Sequence, residues 1–327
     1  MNYNLKPETF FVEEDYKPRL KEEGKYLYYV IEKKGLSHKQ LIKRIPKDAL
    51  FNGLKDKNAT TKQWFCTKQT IENIFEKDLK IEYKGKSDEK IFIGKHKGNK
   101  FKILLELKEK ELKKIKKINW KKELITNYFG KQRFDKRINK FNELLEKKDF
   151  ENALKFFLTE KSDYDTQKSS EIKKEIFTNW NNWKKLIESN IPESKKPIFE
   201  LLEKEKDFEK AFMLTEKKSL KQMLKAVQAK KWNELLHKQI LFFVANNLEG
   251  KKASRNIKNK LILEGNDFEK KFGLNKLDRE TYFKIKKFKI KKSNKKNNFW
   301  IEFYLKKGCY ATIFIEYLEK ILTAARN

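Results

Sequence analysis

The 327-residue chain is long enough for one large domain or two ordinary ones, and its hydrophobic fraction of 38% is enough to build a core. Its 79 Lys and Arg outnumber 47 Asp and Glu, and the formal charge of +32 indicates a polyanionic partner, unless it reflects only the codon usage of an AT-rich genome. Two cysteines and three histidines are too few for a disulfide framework, a cysteine-based zinc site or most metal sites and catalytic triads, so no metal is expected.

No stretch approaches the roughly 18 consecutive apolar residues that span a bilayer, so no membrane association is expected. The first fifteen residues, MNYNLKPETFFVEED, turn acidic and have no apolar core of the kind found in export signals. With so few cysteines, we expect a reduced, cytoplasmic location. The large like-sign charge disfavours self-association, so a monomer is expected.

The first third of the chain is predicted to contain mostly strands. Residues 25–33, KYLYYVIEK, are β-forming and apolar on both alternating faces, which is typical of a central strand. Ser37 and Gln40 have capping-box spacing, so a helix is expected to begin near Ser37 and to end at Pro46. Short β-like runs separated by turn residues follow, namely ALFNG, TKQWFCT, KIEYKG, KIFIG and FKILLELK.

From about residue 107 to 262 the pattern is helical, with apolar residues three and four positions apart. The chain then returns to strands, because TYFKIKKFKIKK and NNFWIEFYLKKG predict a hairpin with a polar turn. CYATIFIEYLEKILTAA predicts a final amphipathic helix. We therefore predict an α+β fold in which residues 1–140 and 256–327 form a mixed, mainly antiparallel sheet with flanking helices, and residues 141–255 form a mostly helical insertion.

The stretch GLKDKNATTKQW, residues 53–64, places Asp56 between two lysines in a glycine-led turn. An aspartate that accepts hydrogen bonds from backbone amides is the common structural explanation for such a residue. The functional alternative is a nucleophile or base that the adjacent lysines keep ionised. Spacing alone leaves both explanations open.

Five short motifs lie in order along the chain: KPETFFVEE, GLKDKNATTKQW, KGNKF, NYFGKQRFD and LKKGCYATIFIEYL. They are similar to the boxes PEDF.V.E, G.KD..A.T.QW, KGN.F, NYFG.QRFG and G.(Y/F)AT...RE of the TruD family of tRNA pseudouridine synthases. The chain resembles this family over nearly its whole length, which implies a pseudouridine-synthase-like sheet. Two positions depart from the pattern, since Asp135 replaces a glycine and Ile315 replaces the basic residue before Glu316.

The resemblance implies roles for individual residues. Asp56 matches the family's nucleophilic aspartate. Asn99 and Phe101 match residues of the base pocket, where Phe101 would stack on the extruded uracil. A lysine that pairs with the aspartate precedes the first motif in the family. Asn4 occupies that position here, so the nearby Lys6 is expected to take the role.

Further residues are expected to bind substrate. Lys55 and Lys57 would hold phosphate or the catalytic carboxylate, with solvated turn lysines as the alternative. The resemblance also implies substrate contacts from Lys97 of the third motif, Arg133 of the fourth motif and Asn233 of the helix AVQAKKWNELL. For the fourth motif, packing beneath the site is the alternative. The strand YFKIKKFKIKKSNKK is a candidate for binding the tRNA backbone, and protection of an exposed sheet edge is its alternative.

The implied reaction converts uridine to pseudouridine in tRNA, with position 13 of the D arm as the family's usual target. The N1–C1′ bond breaks and a C5–C1′ bond forms, so nothing is oxidised and no cofactor is required. The carboxylate either adds to the sugar or withdraws a sugar proton to release uracil from a glycal, and both routes stay open. In either route a pocket that excludes water must hold the base while it rotates.

Two other functions fit parts of the sequence. A non-catalytic basic protein that binds RNA or assists its assembly, and that retains the scaffold, would account for Asp135 and the displaced lysine. A metal-dependent nuclease would need clustered acidic residues and would lose activity when its metal is removed.

Overall fold

The computed structural model describes residues 1–134, 137–162, 165–245 and 259–323. The strands, in chain order, are β1 (Asn2–Tyr3), β2 (Phe10–Asp15), β3 (Tyr26–Lys34), β4 (Leu50–Phe51), β5 (Thr60–Thr67), β6 (Ile74–Phe75), β7 (Leu79–Ser87), β8 (Gly98–Glu106), β9 (Ile125–Thr126), β10 (Lys260–Glu264), β11 (Lys276–Glu280), β12 (Tyr282–Phe283), β13 (Lys286–Lys292) and β14 (Asn298–Lys306). The helices are α1 (His38–Leu41), α2 (Glu109–Lys117), α3 (Arg137–Glu146), α4 (Phe150–Thr159), α5 (Gln167–Thr178), α6 (Trp183–Glu188), α7 (Lys196–Glu205), α8 (Phe208–Met213), α9 (Lys217–Ala245), α10 (Asp267–Lys271) and α11 (Ala311–Thr323).

The chain forms two compact units, one from residues 1–127 and 282–327 and the other from residues 128–281. The second boundary lies between residues 281 and 282, later than the predicted 255 and 256, so residues 259–281 belong to the second unit and not to the first. The first boundary lies between residues 127 and 128, earlier than the predicted 140 and 141. Its position follows from packing, because Ile138 of α3 is already part of the hydrophobic core of the second unit.

The first unit contains a ten-stranded sheet to which both ends of the chain contribute. Its main path runs β13-β14-β8-β2-β5-β3-β7-β6, while β1 pairs with β8 and β4 with β5. β2 and β5 run parallel, and the other neighbours in this sheet are antiparallel. The predicted α+β class with a mixed, mainly antiparallel sheet is therefore confirmed.

Local predictions for the first unit hold in part. β3 is an interior strand, and Ser37 caps α1 in a capping box with Gln40, as predicted. The helix nevertheless ends at Leu41, well before Pro46, because Leu41 and Ile45 reach the same buried cluster without further helical turns. The prediction of a strand at KIFIG, residues 90–94, is wrong. It forms a turn in which the amide of Gly94 donates to the carbonyl of Asn52 at 2.7 Å.

The second unit has a helical core. Large side chains of α3, α6, α7 and α8 meet in one buried cluster, which includes Phe141, Trp183, Phe199 and Phe212. β10 and β11 form a separate two-stranded antiparallel pair. Among the described residues, no helix is long and apolar enough to cross a membrane.

Candidate active site

One face of the sheet carries the residues that sequence reasoning placed in the base pocket. Strand pairing sets Lys33 opposite Thr61, Thr61 beside Val12, and Val12 opposite Phe101. Residues paired directly across neighbouring strands project from the same face of a sheet. These side chains therefore form one buried row across β3, β5, β2 and β8. Phe303 of β14 continues the row.

Asp56 lies in the loop between β4 and β5, and its side chain is exposed. Its Oδ1 accepts a hydrogen bond of 2.8 Å from the amide of Asn58, which is the contact of a turn aspartate. The same loop is also tied to the buried row, because the ammonium of Lys33 donates to the main-chain carbonyl of Asp56 at 3.0 Å. A second bond of 2.7 Å runs from this ammonium to the carbonyl of Leu36.

Lys33 is a residue that sequence reasoning missed. Its side chain is only 2% exposed, so it places a cation within the sheet face beneath the Asp56 loop. Burial lowers the pKa of Lys33 to about 8, the charge of Asp56 opposes this shift, and the charge of Lys55 adds to it. A signal was present, because Lys33 follows Tyr29 and Ile31 at the two-residue period of the buried face.

A second buried contact holds the loop from its other side. The ammonium of Lys55 lies 2.6 Å from Oε1 of Glu14, and both side chains are almost fully buried. Oε2 of Glu14 accepts from the side-chain amide of Asn52 at 3.1 Å and from the amide of Trp64 at 3.2 Å. Hydrogen bonds to the ionised carboxylate offset the cost of burying this ion pair. The contact occupies Lys55, whose predicted role in substrate binding stays a prediction.

Glu14 connects the loop to the predicted base pocket. It stands directly opposite Asn99 in the β2–β8 pair, two residues from the partner of Phe101. The ring of Phe101 has Phe10 at 6.3 Å on one side and Phe303 at 5.3 Å on the other. With 8% of Phe101 exposed, little of the ring is accessible. Its predicted stacking on uracil stays a prediction.

Several buried polar atoms in this region lack a hydrogen-bond partner within the residues that the structure describes. They are Oδ1 of Asn52, Oγ1 of Thr61, Oε1 of Gln63, Nδ1 of His96 and Oδ1 of Asn99. An unpaired buried polar atom costs about 1–3 kcal/mol, so a group of them is unusual in a region that serves packing alone. Gln63 and Thr61 belong to the same face, because they alternate along β5 and pair with Ile31 and Lys33 of β3.

Three predicted lysines lie at the surface of the first unit. The side chains of Lys6, Lys57 and Lys97 are exposed. The main chain of Lys6 belongs to a turn in which its carbonyl accepts from the amides of Thr9 and Phe10. The ammonium of Lys33 donates a hydrogen bond to the main-chain carbonyl of Asp56 and not to its carboxylate. The pairing of Lys6 with the Asp56 carboxylate stays a prediction.

The remaining predicted residues, Arg133 and Asn233, belong to the second unit. The side-chain amide of Asn233 pairs with the main chain of Phe129, accepting from its amide at 2.8 Å and donating to its carbonyl at 3.1 Å. The guanidinium groups of Arg133 and Arg279 lie 5.6 Å and 3.9 Å from the centre of the Phe129 ring. Trp232 meets the same ring edge-on at 5.7 Å. These contacts fix the NYFG segment to α9, and Asp135 lies outside the described residues.

The Asn233→Ala variant is expected to lower the free energy of unfolding of the second unit by about 2–4 kcal/mol, because two main-chain groups of Phe129 lose this partner. Urea unfolding followed by tryptophan fluorescence measures the effect. Lys238→Ala, an exposed position on the same helix, is the control and is expected to change stability by less than about 0.5 kcal/mol. An unchanged unfolding midpoint together with a raised KM would instead assign Asn233 to substrate binding.

Within the described residues, no group of three or more His, Cys, Asp or Glu side chains could hold a metal ion. The face that carries Lys33, Glu14, Asn99 and Phe101 instead combines one exposed carboxylate at its margin with buried amide and hydroxyl groups. Buried amide and hydroxyl groups can hydrogen-bond a polar heterocycle, and an exposed carboxylate can act as a nucleophile or base on a group attached to it.

Comparison with known proteins places the fold and the family. The crystal structure of a protein from Methanosarcina mazei assigned as tRNA pseudouridine synthase D (TruD) superposes with a TM-score of 0.60 at 18% identity and covers 97% of this chain and 92% of its own. The fold is thus a pseudouridine-synthase-like one. The family model described as tRNA pseudouridine synthase D (TruD) matches residues 4–251. The chain belongs to the TruD family, as the motifs predicted.

Two curated relatives illustrate the extent of the similarity. The tRNA pseudouridine synthase D of Aquifex aeolicus is 30% identical over 257 residues, which span 71% of this chain and 64% of the relative. The protein named probable tRNA pseudouridine synthase D 1 of Methanococcus maripaludis is 27% identical over 390 aligned positions, which span 98% of this chain and 100% of the relative. The alignment with the first of these relatives thus spans slightly less than two thirds of its length, and the prediction that the chain belongs to their family is confirmed.

Proposed function

We propose that this chain isomerises uridine to pseudouridine in tRNA and that the carboxylate of Asp56 acts on the sugar of the reacting nucleotide. The observation that carries the proposal is the attachment of the Asp56 loop to the sheet face of Asn99 and Phe101. Lys33 binds the loop from one side, and the Lys55–Glu14 pair binds it from the other. An exposed carboxylate is thereby fixed beside a buried polar surface.

The surroundings of Asp56 suit a carboxylate that must be correctly oriented. The bond from the Asn58 amide to Oδ1 fixes the rotation of the carboxylate. The ammonium of Lys33 adds a positive charge close to the same loop. Because the side chain is exposed, the carboxylate can approach a nucleotide that has left its stack.

Both chemical routes are compatible with one carboxylate. In the first, an oxygen of Asp56 bonds to C1′ while the N1–C1′ bond breaks and its electron pair stays on uracil. In the second, Asp56 takes the C2′ proton, and the N1–C1′ bond breaks to leave a glycal. Uracil then rotates and its C5 bonds to C1′. In the first route the Asp56–C1′ bond breaks in this step and the carboxylate leaves with the electron pair, and in the second route Asp56 returns its proton to C2′. The proton on C5 is then lost and N1 is protonated. The product has the same atoms as the substrate, so we propose that no cofactor takes part.

The buried polar atoms beside the loop match the needs of a rotating uracil. Uracil offers an N3–H donor and two carbonyl acceptors, while Asn99 and Gln63 each have a side-chain oxygen without a partner in the described chain. Amide side chains can both donate and accept, so they can hold the base in more than one orientation. Thr61 adds a hydroxyl with the same property. We propose that Asn99 contacts uracil and that Phe101 bounds the pocket.

The partner and setting are proposed from charge and family. The names of the relatives specify tRNA as their substrate, and a formal charge of +32 favours a polyanion. We propose uridine 13 of the D arm as the target. A monomer in the cytoplasm completes the proposal, because the strong like-sign charge opposes self-association.

The test is modification mapping of an unmodified tRNA transcript incubated with the protein. Carbodiimide treatment followed by reverse transcription is expected to give one new stop, next to position 13, with no change in RNA mass. EDTA is expected to leave the yield unchanged, and the RNA is expected to stay intact. Tight binding with no conversion would favour the non-catalytic RNA-binding alternative, and cleaved RNA would indicate a nuclease.

A further inference from the structure

The hairpin formed by β13 and β14 contains the strongest local excess of positive charge that the sequence shows outside the active-site motifs. Residues 282–300 contain eight lysines and no aspartate or glutamate. The whole chain reaches only +32 over 327 residues, so general lysine enrichment does not account for this segment. The lysines are Lys284, Lys286, Lys287, Lys289, Lys291, Lys292, Lys295 and Lys296.

The hairpin is rigidly attached to the first unit. Phe288 projects from β13 to the side where its ring meets Trp120 at 4.8 Å and Phe314 at 6.2 Å. β14 pairs with β8 along its whole length. Because these apolar contacts fix the strand, the backbone positions of its lysines are set before binding, and less entropy is lost when they bind a partner.

An irregularity in β13 directs two lysines toward one groove. The register of β13 against β14 shifts between Lys286 and Lys289, and Lys287 adopts a left-handed φ of 54°. Such a bulge re-aims side chains at the edge of a sheet. Lys287 and Lys289 both line a groove of about 560 Å³, together with Lys100 and Lys102 of β8.

Three carboxylates, those of Glu13, Glu32 and Glu302, also line the groove, and its lysines differ in whether they are paired. Lys100 pairs with Glu13 at 2.9 Å. The ammonium of Lys102 lies instead over the ring of Trp300 at 4.6 Å. In the described part of the chain, neither Lys287 nor Lys289 has an ion-pair partner.

The position of the groove relates it to the candidate active site. Its lining includes Thr60, which directly follows the loop that carries Asp56. The groove lies on the face of Lys100 and Lys102, opposite to the face from which the Phe101 side chain projects. Phe11 and Tyr304 add aromatic surface beside the lysines. Unpaired lysines between aromatic side chains are typical of surfaces that bind a nucleic-acid backbone.

We propose that the β13–β14 hairpin and this groove bind the sugar-phosphate backbone of the substrate RNA outside the reacting nucleotide. The identity of the RNA rests on the proposed function. Lys287 and Lys289 supply phosphate contacts that anchor the strand, and Thr60 marks the part of the groove next to the Asp56 loop. The surface supplies affinity, while Asp56 supplies the chemistry.

The test compares two double variants with the same loss of charge. The first is Lys287→Gln, Lys289→Gln. The control is Lys39→Gln, Lys43→Gln. The side chains of Lys39 and Lys43 are also exposed, and they belong to or follow α1, which packs on the β3 and β7 end of the sheet. Affinity for an unmodified tRNA transcript is measured by filter binding from 50 to 300 mM salt, and conversion is measured separately.

The hairpin variant is expected to bind roughly 10- to 100-fold more weakly near 0.1 M salt. The slope of log affinity against log salt is expected to fall by about 2, and single-turnover conversion at saturating protein is expected to change little. The control is expected to lower the slope by less than about 1. Equal effects of the two variants, or an unchanged slope in the hairpin variant, would overturn the proposal.

Protection of the exposed edge strand is the competing explanation for these lysines. It requires that the hairpin variant aggregates while its soluble fraction retains full RNA affinity, and that result would also overturn the proposal. The outcome is separable from the proposed function. If the unaltered protein does not isomerise tRNA, the proposed function fails, whereas the binding comparison still decides whether the hairpin contacts RNA.

Discussion

The Asp56→Asn variant is expected to convert uridine at least about four orders of magnitude more slowly than the unaltered protein. An amide can neither form the sugar ester nor accept the C2′ proton, so both routes are blocked. The shape of the side chain and the contact between Oδ1 and the Asn58 amide are preserved, because the amide oxygen also accepts a hydrogen bond. RNA affinity is therefore expected to change by less than about three-fold.

Conversion can be followed through the proton on C5, which is lost when the C5–C1′ bond forms. Tritium release from tRNA labelled at C5 of uridine, under single-turnover conditions, measures the chemical step. Asp88→Asn is the matched control, since Asp88 is an exposed aspartate of the first unit that pairs with Lys21 at the surface, and full activity is expected. Retained activity in Asp56→Asn would show that Asp56 is only a turn residue.

Local patterns in the sequence were sufficient for the elements that present the site. Alternation and β-propensity predicted β3 as an interior strand, and the capping box located the start of α1 at Ser37. The two lysine-rich runs near the end of the chain do form a hairpin, from Lys286 to Lys306. In each case the signal lies within a few residues of the element that it predicts.

The contacts that fix the Asp56 loop could not be predicted from local sequence patterns. Lys33 and Asp56 are 23 positions apart, and Glu14 and Lys55 are 41 apart. Alternation shows that Lys33 and Glu14 face the buried side of their strands, but the partner of each depends on strand order. Glu14 lies on β2, and Lys55 lies in the loop before β5. The parallel pairing of β2 with β5 brings the two residues together, and no turn motif in the sequence predicts this pairing. The sequence therefore indicates a buried charge without identifying its partner.

The prediction of a helix that continues to Pro46 and the prediction of a strand at KIFIG failed for the same reason. Ile42 and Ile93 suggested continued regular structure, yet they are 46% and 85% exposed. Leu41 and Ile91, close to them in the chain, are buried. Apolar residues at the surface carry the same signal in a sequence as apolar residues in a core, so their side chains extend a predicted element beyond its packed part.

The Lys33→Met variant is expected to slow conversion about 100-fold with little change in RNA affinity. The methionine keeps the buried volume but cannot donate to the carbonyls of Asp56 and Leu36, so the loop loses the contact that sets its position. A displacement of about 1 Å in a catalytic group is enough for an effect of this size. The adjacent Lys34→Met is the control, because Lys34 pairs with Glu8 at the surface, and its rate is expected to stay within about two-fold.

The pH dependence distinguishes positioning by a charged Lys33 from a general loss of structure. Burial lowers the pKa of Lys33 to about 8 from an ordinary value of 10.5, so its ammonium is present below pH 8 and is lost above it. The rate is expected to fall as pH rises through about 8, and this fall is expected to be absent in Lys33→Met. Stability changes in the opposite direction, because between about pH 8 and 10.5 the unfolded chain retains this proton while the folded chain has released it, so the contribution of Lys33 to the free energy of unfolding rises with pH. A rate that falls while stability holds or rises therefore cannot come from unfolding, whereas a high-pH fall of equal size in Lys33→Met would show that another group is responsible.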